Sequence, residues 1–140
     1  MIGLTSKPSN MTTELHLLVY TVILGLVHLV AASHFISHQY GYRWTAGNRE
    51  EVKPPLKGMA GSVDRATTNF LETFPFFAAV VLVAHLAGCH STLTILGAHL
   101  YFLGRIFYAG ASMAGFPLVR SLSWNIPTSG IVLFVIALLS

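Results

Sequence analysis

The sequence predicts an all-α integral membrane protein, a four-transmembrane-helix bundle, and three observations carry that expectation. Hydrophobic residues make up 54% of the 140 residues and charged residues only 9%, against about 25% charged in a soluble globular domain. Four apolar stretches come close to or exceed the roughly 20 residues needed to cross the hydrocarbon of a bilayer. The few ionisable residues inside those stretches recur at helical spacing, as they must if each is to face the interior of a bundle rather than lipid.

The first span is expected over residues 15–37. Its apolar run is longer than the roughly 7–15 residue core of a cleavable signal, so it reads as a retained helix. The second is expected over 65–88 and the third over 92–114. Only Cys89, His90 and Ser91 separate these two, which makes them antiparallel neighbours. The fourth is expected over 122–139, with Pro127 marking a kink or a late start. Residues 38–64 are the one long connection and read as a polar loop holding Arg43, Arg49, Lys53, Lys57 and the Pro54-Pro55 pair. With four spans this loop and Arg120 fall on one side and Lys7 on the other. The positive-inside rule then places the loop and Arg120 in the cytoplasm. The whole chain is one membrane domain. Its formal net charge of +3 is too small to suggest nucleic-acid binding, and its one cysteine, Cys89, excludes an intramolecular disulfide framework.

Chemistry concentrates on the second and third spans. Arg65, Asn69 and Glu72 stand at i, i+4 and i+7, which puts them on one helical face. Tyr101, Arg105, Tyr108 and Ser112 form a similar stripe on the third span. Counted along the helices, Glu72 and Arg105 lie about 10 and 15 Å from the cytoplasmic side, so the stripes overlap in depth and predict one cavity with Arg120 at its rim. Arginine forks suit carboxylates, phosphates or a thiolate; Glu72 suits an amine, and Asn69 can donate and accept. A small zwitterion with more than one carboxylate fits that inventory. The plainer alternative is a Glu72–Arg105 ion pair that only fixes helix packing. His34 and His38 share a face but lack a third ligand, so no metal site is assigned. Gly97, Gly104 and Ala111 form a small-residue stripe suited to close helix approach.

These residues resemble a known pattern. Arg65-Ala66-x-x-Asn69-x-x-Glu72 followed by Thr73-Phe74-Pro75-Phe76, then Gly104-Arg105-x-x-Tyr108 and the basic turn ending in Arg120-Ser121, resemble the MAPEG family, the membrane-associated proteins of eicosanoid and glutathione metabolism. The loop Ala46-Gly47-Asn48-Arg49 and the stretch to the C-terminus are similar to bacterial members, which suggests an inner-membrane location. The resemblance implies a homotrimer with glutathione bound between protomers as co-substrate. By position, Arg65, Asn69, Glu72, Arg105 and Tyr108 would hold glutathione, with Ser112 and Arg43 as further binding residues, and Arg120 would be the catalytic arginine that stabilises the thiolate. Thr67 and Thr68 stand where several relatives carry His or Arg, and Ser112 where some carry a second tyrosine.

The function expected on this basis is a glutathione-dependent transferase or peroxidase acting on a hydrophobic electrophile or lipid hydroperoxide that enters from the membrane lipid. The alternative is a non-catalytic lipid-binding scaffold of the same fold. A small transporter is a third reading, weakened by the lack of an inverted repeat.

Overall fold

A computed structural model describes residues 11–140, so Lys7 lies outside the described residues. These residues fold into six helices and no strand: α1 (Thr13–Tyr40), α2 (Tyr42–Ala46), α3 (Gly58–Leu86), α4 (Thr92–Ala114), α5 (Pro117–Ser123) and α6 (Asn125–Leu139). Three helical stretches, Thr13–Tyr40, Gly58–Leu86 and Pro117–Leu139, are long and apolar enough to cross a membrane. Large apolar side chains such as Ile23, Leu26, Val27 and Val30 on α1 point outward and uncovered, the arrangement expected of an integral membrane protein, whose outer solvent is lipid. With 23 residues, α4 is also long enough to span, but Arg105, His99 and its tyrosines interrupt its apolar stretch.

The reversal between α3 and α4 shows why this sequence turns where it does. Gly88 takes φ +66°, a left-handed conformation that costs a residue without Cβ nothing. The Gly88 and Cys89 amides then donate to the carbonyls of His85 (3.1 Å) and Ala84 (2.9 Å), a Schellman closure that satisfies the end of α3. Ser91 caps α4: its Oγ accepts from the Thr94 amide while Thr94 Oγ1 accepts from the Ser91 amide. Thr94 Oγ1 also donates to the buried Glu14 carboxylate at 2.6 Å, which ties the start of α1 to the start of α4.

Helix α4 packs most extensively on α6, α1 packs on α3, and α3 packs on α4. The small-residue stripe of α4 faces α6. A Cβ on Gly97 would lie 2.7 Å from the Gly130 carbonyl oxygen, and one on Gly104 would lie 2.8 Å from the ring of Pro127. The backbones therefore touch. Phe77, Tyr101 and Phe134 fill the centre beneath them, with Phe77 stacked on Tyr101 at 3.9 Å between ring centroids.

Several element boundaries differ from the sequence expectation. The second long helix begins at Gly58 rather than near Arg65, and α1 runs on to Tyr40 with α2 after it, so the polar connection between helices shrinks to residues 47–57. Ala60, Gly61, Ser62 and Val63 are buried, and Ser112 Oγ on α4 donates to the Ser62 carbonyl. That packing extends the helix through a stretch whose composition reads as loop. The connection itself is strapped to the end of α1 and to α2, since Tyr40 Oη donates to the Pro54 carbonyl and Trp44 Nε1 to that of Glu51. Arg120, expected in a turn, is on helix α5, which starts with Pro117 at its first position, where a missing N–H costs nothing. Pro127 falls in the first turn of α6, where it is tolerated for the same reason.

Gly97→Ala or Gly130→Ala is expected to destabilise the bundle by about 1–3 kcal/mol through overpacking. Denaturant titration of detergent-solubilised protein checks this. An unchanged midpoint would mean that α4 and α6 can move apart freely.

Candidate functional site

Arg65, Thr68, Asn69 and Glu72 of α3, Asp64 one residue earlier, Tyr108 of α4 and Arg120 of α5 line one open groove of about 400 Å³. The 3.6-residue period stacks the α3 residues along a single face. Because α3 starts at Gly58, Glu72 lies 14 positions into the helix, about 20 Å from its start and deeper than the sequence count gives. The charges in the groove do not neutralise one another. Ion pairs among the described residues are confined to Lys53–Glu51 and the His90–Glu14 contact. Asp64, Arg65, Glu72 and Arg120 thus stand without an ion-pair partner. The Arg65 guanidinium instead folds back to donate to Ser62 Oγ at 3.3 Å.

Arg105 lies behind the groove, only 1% exposed. It makes no ion pair with Glu72. One terminal nitrogen donates to Asn69 Oδ1 at 2.5 Å and the other to Thr73 Oγ1, while Nε has no partner. Thr73 Oγ1 in turn lies 3.0 Å from Tyr101 Oη. The rings of Tyr101 and Tyr108 flank the guanidinium at 5.2 and 5.8 Å, distances at which an aromatic face attracts a cation. A full positive charge is therefore buried among neutral oxygens and aromatic faces, with no carboxylate in contact.

The other expected residues are placed apart. Ser112 is buried, and its hydroxyl is used on the Ser62 carbonyl, so it joins α3 to α4 and does not reach the groove. Arg43 is exposed on α2 and does not line the groove of its own chain. Thr67 faces α1: its Oγ1 lies 2.8 Å from the Val63 carbonyl of its own helix and 3.3 Å from the His28 carbonyl of α1. His34 and His38 line an apolar pocket with Phe35 and Tyr42. Among the described residues no three metal-ligating side chains come together.

Three residues of the site have no site role in the sequence expectation. Asp64 falls within the expected loop; its position four residues before Thr68 and eight before Glu72 puts it on the same stripe in a helix that starts at Gly58. Thr68 lines the groove, and Thr73 carries the contact to Arg105.

The chain matches the MAPEG family model over residues 17–140, nearly its whole length. It belongs to the MAPEG family. That family includes glutathione transferases and peroxidases as well as non-catalytic members. No curated protein and no solved structure matches the chain. Among MAPEG features, the arginine, asparagine and glutamate of the α3 motif line the groove here, whereas the α4 arginine stands behind it.

Because Arg105 has no carboxylate partner, removing it strands no opposite charge. Arg105→Met is therefore expected to leave the thermal stability of the ligand-free protein unchanged or raised. A large drop in melting temperature would make Arg105 a packing element.

Proposed function

We propose that the protein is a glutathione-dependent membrane transferase or peroxidase acting on a hydrophobic electrophile or lipid hydroperoxide. The observation that carries this reading is the groove of unpaired charges in front of a buried, unpaired guanidinium. Arg65, Arg105 and Arg120 set three positive charges against the two carboxylates of Asp64 and Glu72, which leaves a net positive site for a ligand of mixed charge. A γ-glutamyl thiol tripeptide, with one ammonium and two carboxylates at neutral pH, has the complementary net charge. In this reading Glu72 takes the ammonium and Arg65 a carboxylate. Asn69 and Tyr108 bind the peptide between them.

The thiol supplies the nucleophile. With a pKa near 8.5 it is mostly protonated at neutral pH, and a guanidinium beside it favours the thiolate. Arg120, half-buried at the α5 end of the groove, is the residue assigned that role. The groove is open. We assign its cover to a neighbouring chain of a homotrimer, from which Arg43 can reach a site it does not reach in its own chain. In the same reading α4 is a fourth span, the groove opens toward the cytoplasm, and the apolar substrate arrives through the bilayer.

A second reading, a non-catalytic lipid-binding scaffold, draws support from a different feature. Between α1, α3 and α4 lies an apolar groove of about 300 Å³, lined by Leu24, Val27, Ala31, Val63, Ile106 and Met113 among others. It predicts co-purifying lipid and no thiol chemistry.

Calorimetry of glutathione with detergent-purified protein separates the two. Saturable binding is expected for wild type. Glu72→Gln should weaken it by about tenfold, the value of a charged hydrogen bond, with assembly intact by size-exclusion chromatography. If the oligomer falls apart in that variant, Glu72 is structural. Arg120→Ala is expected to lower conjugation of a model electrophile by about tenfold or more at neutral pH, because the thiol pKa rises when the cation is lost. An unchanged rate removes Arg120 from the mechanism.

A further inference from the structure

Asn69 is the one groove residue whose polarity is fixed from behind. Its Oδ1 accepts from Arg105, and a guanidinium can only donate. The carboxamide is therefore turned with oxygen inward, which leaves Nδ2 without a hydrogen bond among the described residues, on a half-buried side chain that lines the groove. Arg105 cannot contact a groove ligand itself, being 1% exposed, so it acts through Asn69. Arg105 is held in place in turn. Its second terminal nitrogen donates to Thr73 Oγ1, which is braced by Tyr101 Oη at 3.0 Å. Tyr101 is fully buried and stacked on Phe77. The chain of contacts runs from a fixed aromatic pair, through one hydroxyl and one guanidinium, to one carboxamide at the wall of the groove.

We propose that Thr73 is a positioning residue: by holding Arg105 against Asn69 it presents Asn69 Nδ2 to the groove and selects a ligand carbonyl or carboxylate oxygen at that point. This rests on reading the groove as a ligand site and adds its polarity. Glu72, three residues further along α3, attracts a donor, whereas Asn69 demands an acceptor. The groove thus prefers a ligand in which an ammonium is followed by an acceptor oxygen, as in an α-amino acid end or an amide-linked peptide, and disfavours one with a second cation at that position.

Two measurements need no ligand. In protein labelled with ¹⁵N-asparagine, the chain's four asparagines give four side-chain amide signals, and Asn69→Asp assigns the one at Asn69. Its protons are expected to exchange with water as an exposed carboxamide does; strong protection would mean that nitrogen, not oxygen, faces inward, and would overturn the proposal. Thr73→Val keeps the shape but removes the hydroxyl. It is expected to shift or broaden the Asn69 signal, and Thr73→Ser to restore it. A Thr73→Val spectrum identical to wild type would also overturn the proposal. Glutathione calorimetry adds the functional arm. Thr73→Val should weaken binding by about fivefold, the loss of one hydrogen bond, with Thr73→Ser rescuing it. Wild-type affinity in Thr73→Val overturns the positioning role, whereas no binding to wild type sinks the proposed function and leaves the two spectroscopic tests to decide this inference.

Discussion

Arg105 is a full positive charge held inside an apolar bundle by neutral groups. Taking a charge out of water is costly unless it is paired and hydrogen-bonded, and here no carboxylate offsets it within contact distance. Asn69, Thr73 and two tyrosine faces do so in part. That requirement fixes which face of α3 meets α4. It also places Tyr101 in the core with its hydroxyl toward Thr73, and so sets Phe77 and Phe134 around it. The groove follows from the same constraint, since Asn69 and Tyr108 meet Arg105 on one side and line the groove on the other.

Helix α4 works with two unlike faces. One is polar and addresses α3 through Arg105, Tyr108 and Ser112. The other is stripped of side chains and lets the α6 backbone approach at Gly97 and Gly104. This division explains how α4 carries a charge and two tyrosines on its polar face and is still the most heavily packed helix. In lipid there is little hydrophobic gain from bringing helices together, so close backbone contact and interhelical hydrogen bonds carry the association.

Much of this was legible in the sequence. Arg65, Asn69 and Glu72 share a face at the helical period, and they do line one groove with Tyr108 and Arg120. The small-residue stripe of α4 pointed to a close helix contact and makes one. The start of α3 was not legible: the stretch Gly58–Asp64 carries no strong apolar period and follows two prolines, and its helix rests on contacts with α4 that only the folded chain supplies. Asp64 was lost to the site for that reason. Thr73 was passed over because a threonine in a helix bonds its own backbone by default; that its hydroxyl also meets Arg105 depends on the register between two helices. The same register explains why Ser112, one residue type among several on the α4 stripe, ends on a backbone carbonyl rather than at the groove.

The tight reversal at Gly88 has a consequence for how the chain is made. Asn69, Thr73, Tyr101 and Tyr108, the groups that solvate Arg105, all lie on α3 and α4, and the connection between the helices runs only from Ala87 to Ser91, with its amides satisfied locally. As the nascent polypeptide leaves the ribosome, α3 precedes α4 into the translocation machinery by this short link. With α4 as the fourth span proposed above, the two can partition into the bilayer as a single hairpin, with the guanidinium already wrapped by its own partners. On that reading, a helix bearing Arg105 alone would meet lipid with only two tyrosine faces beside its charge; delivered as one half of a hairpin, it brings the oxygens of Asn69 and Thr73 as well.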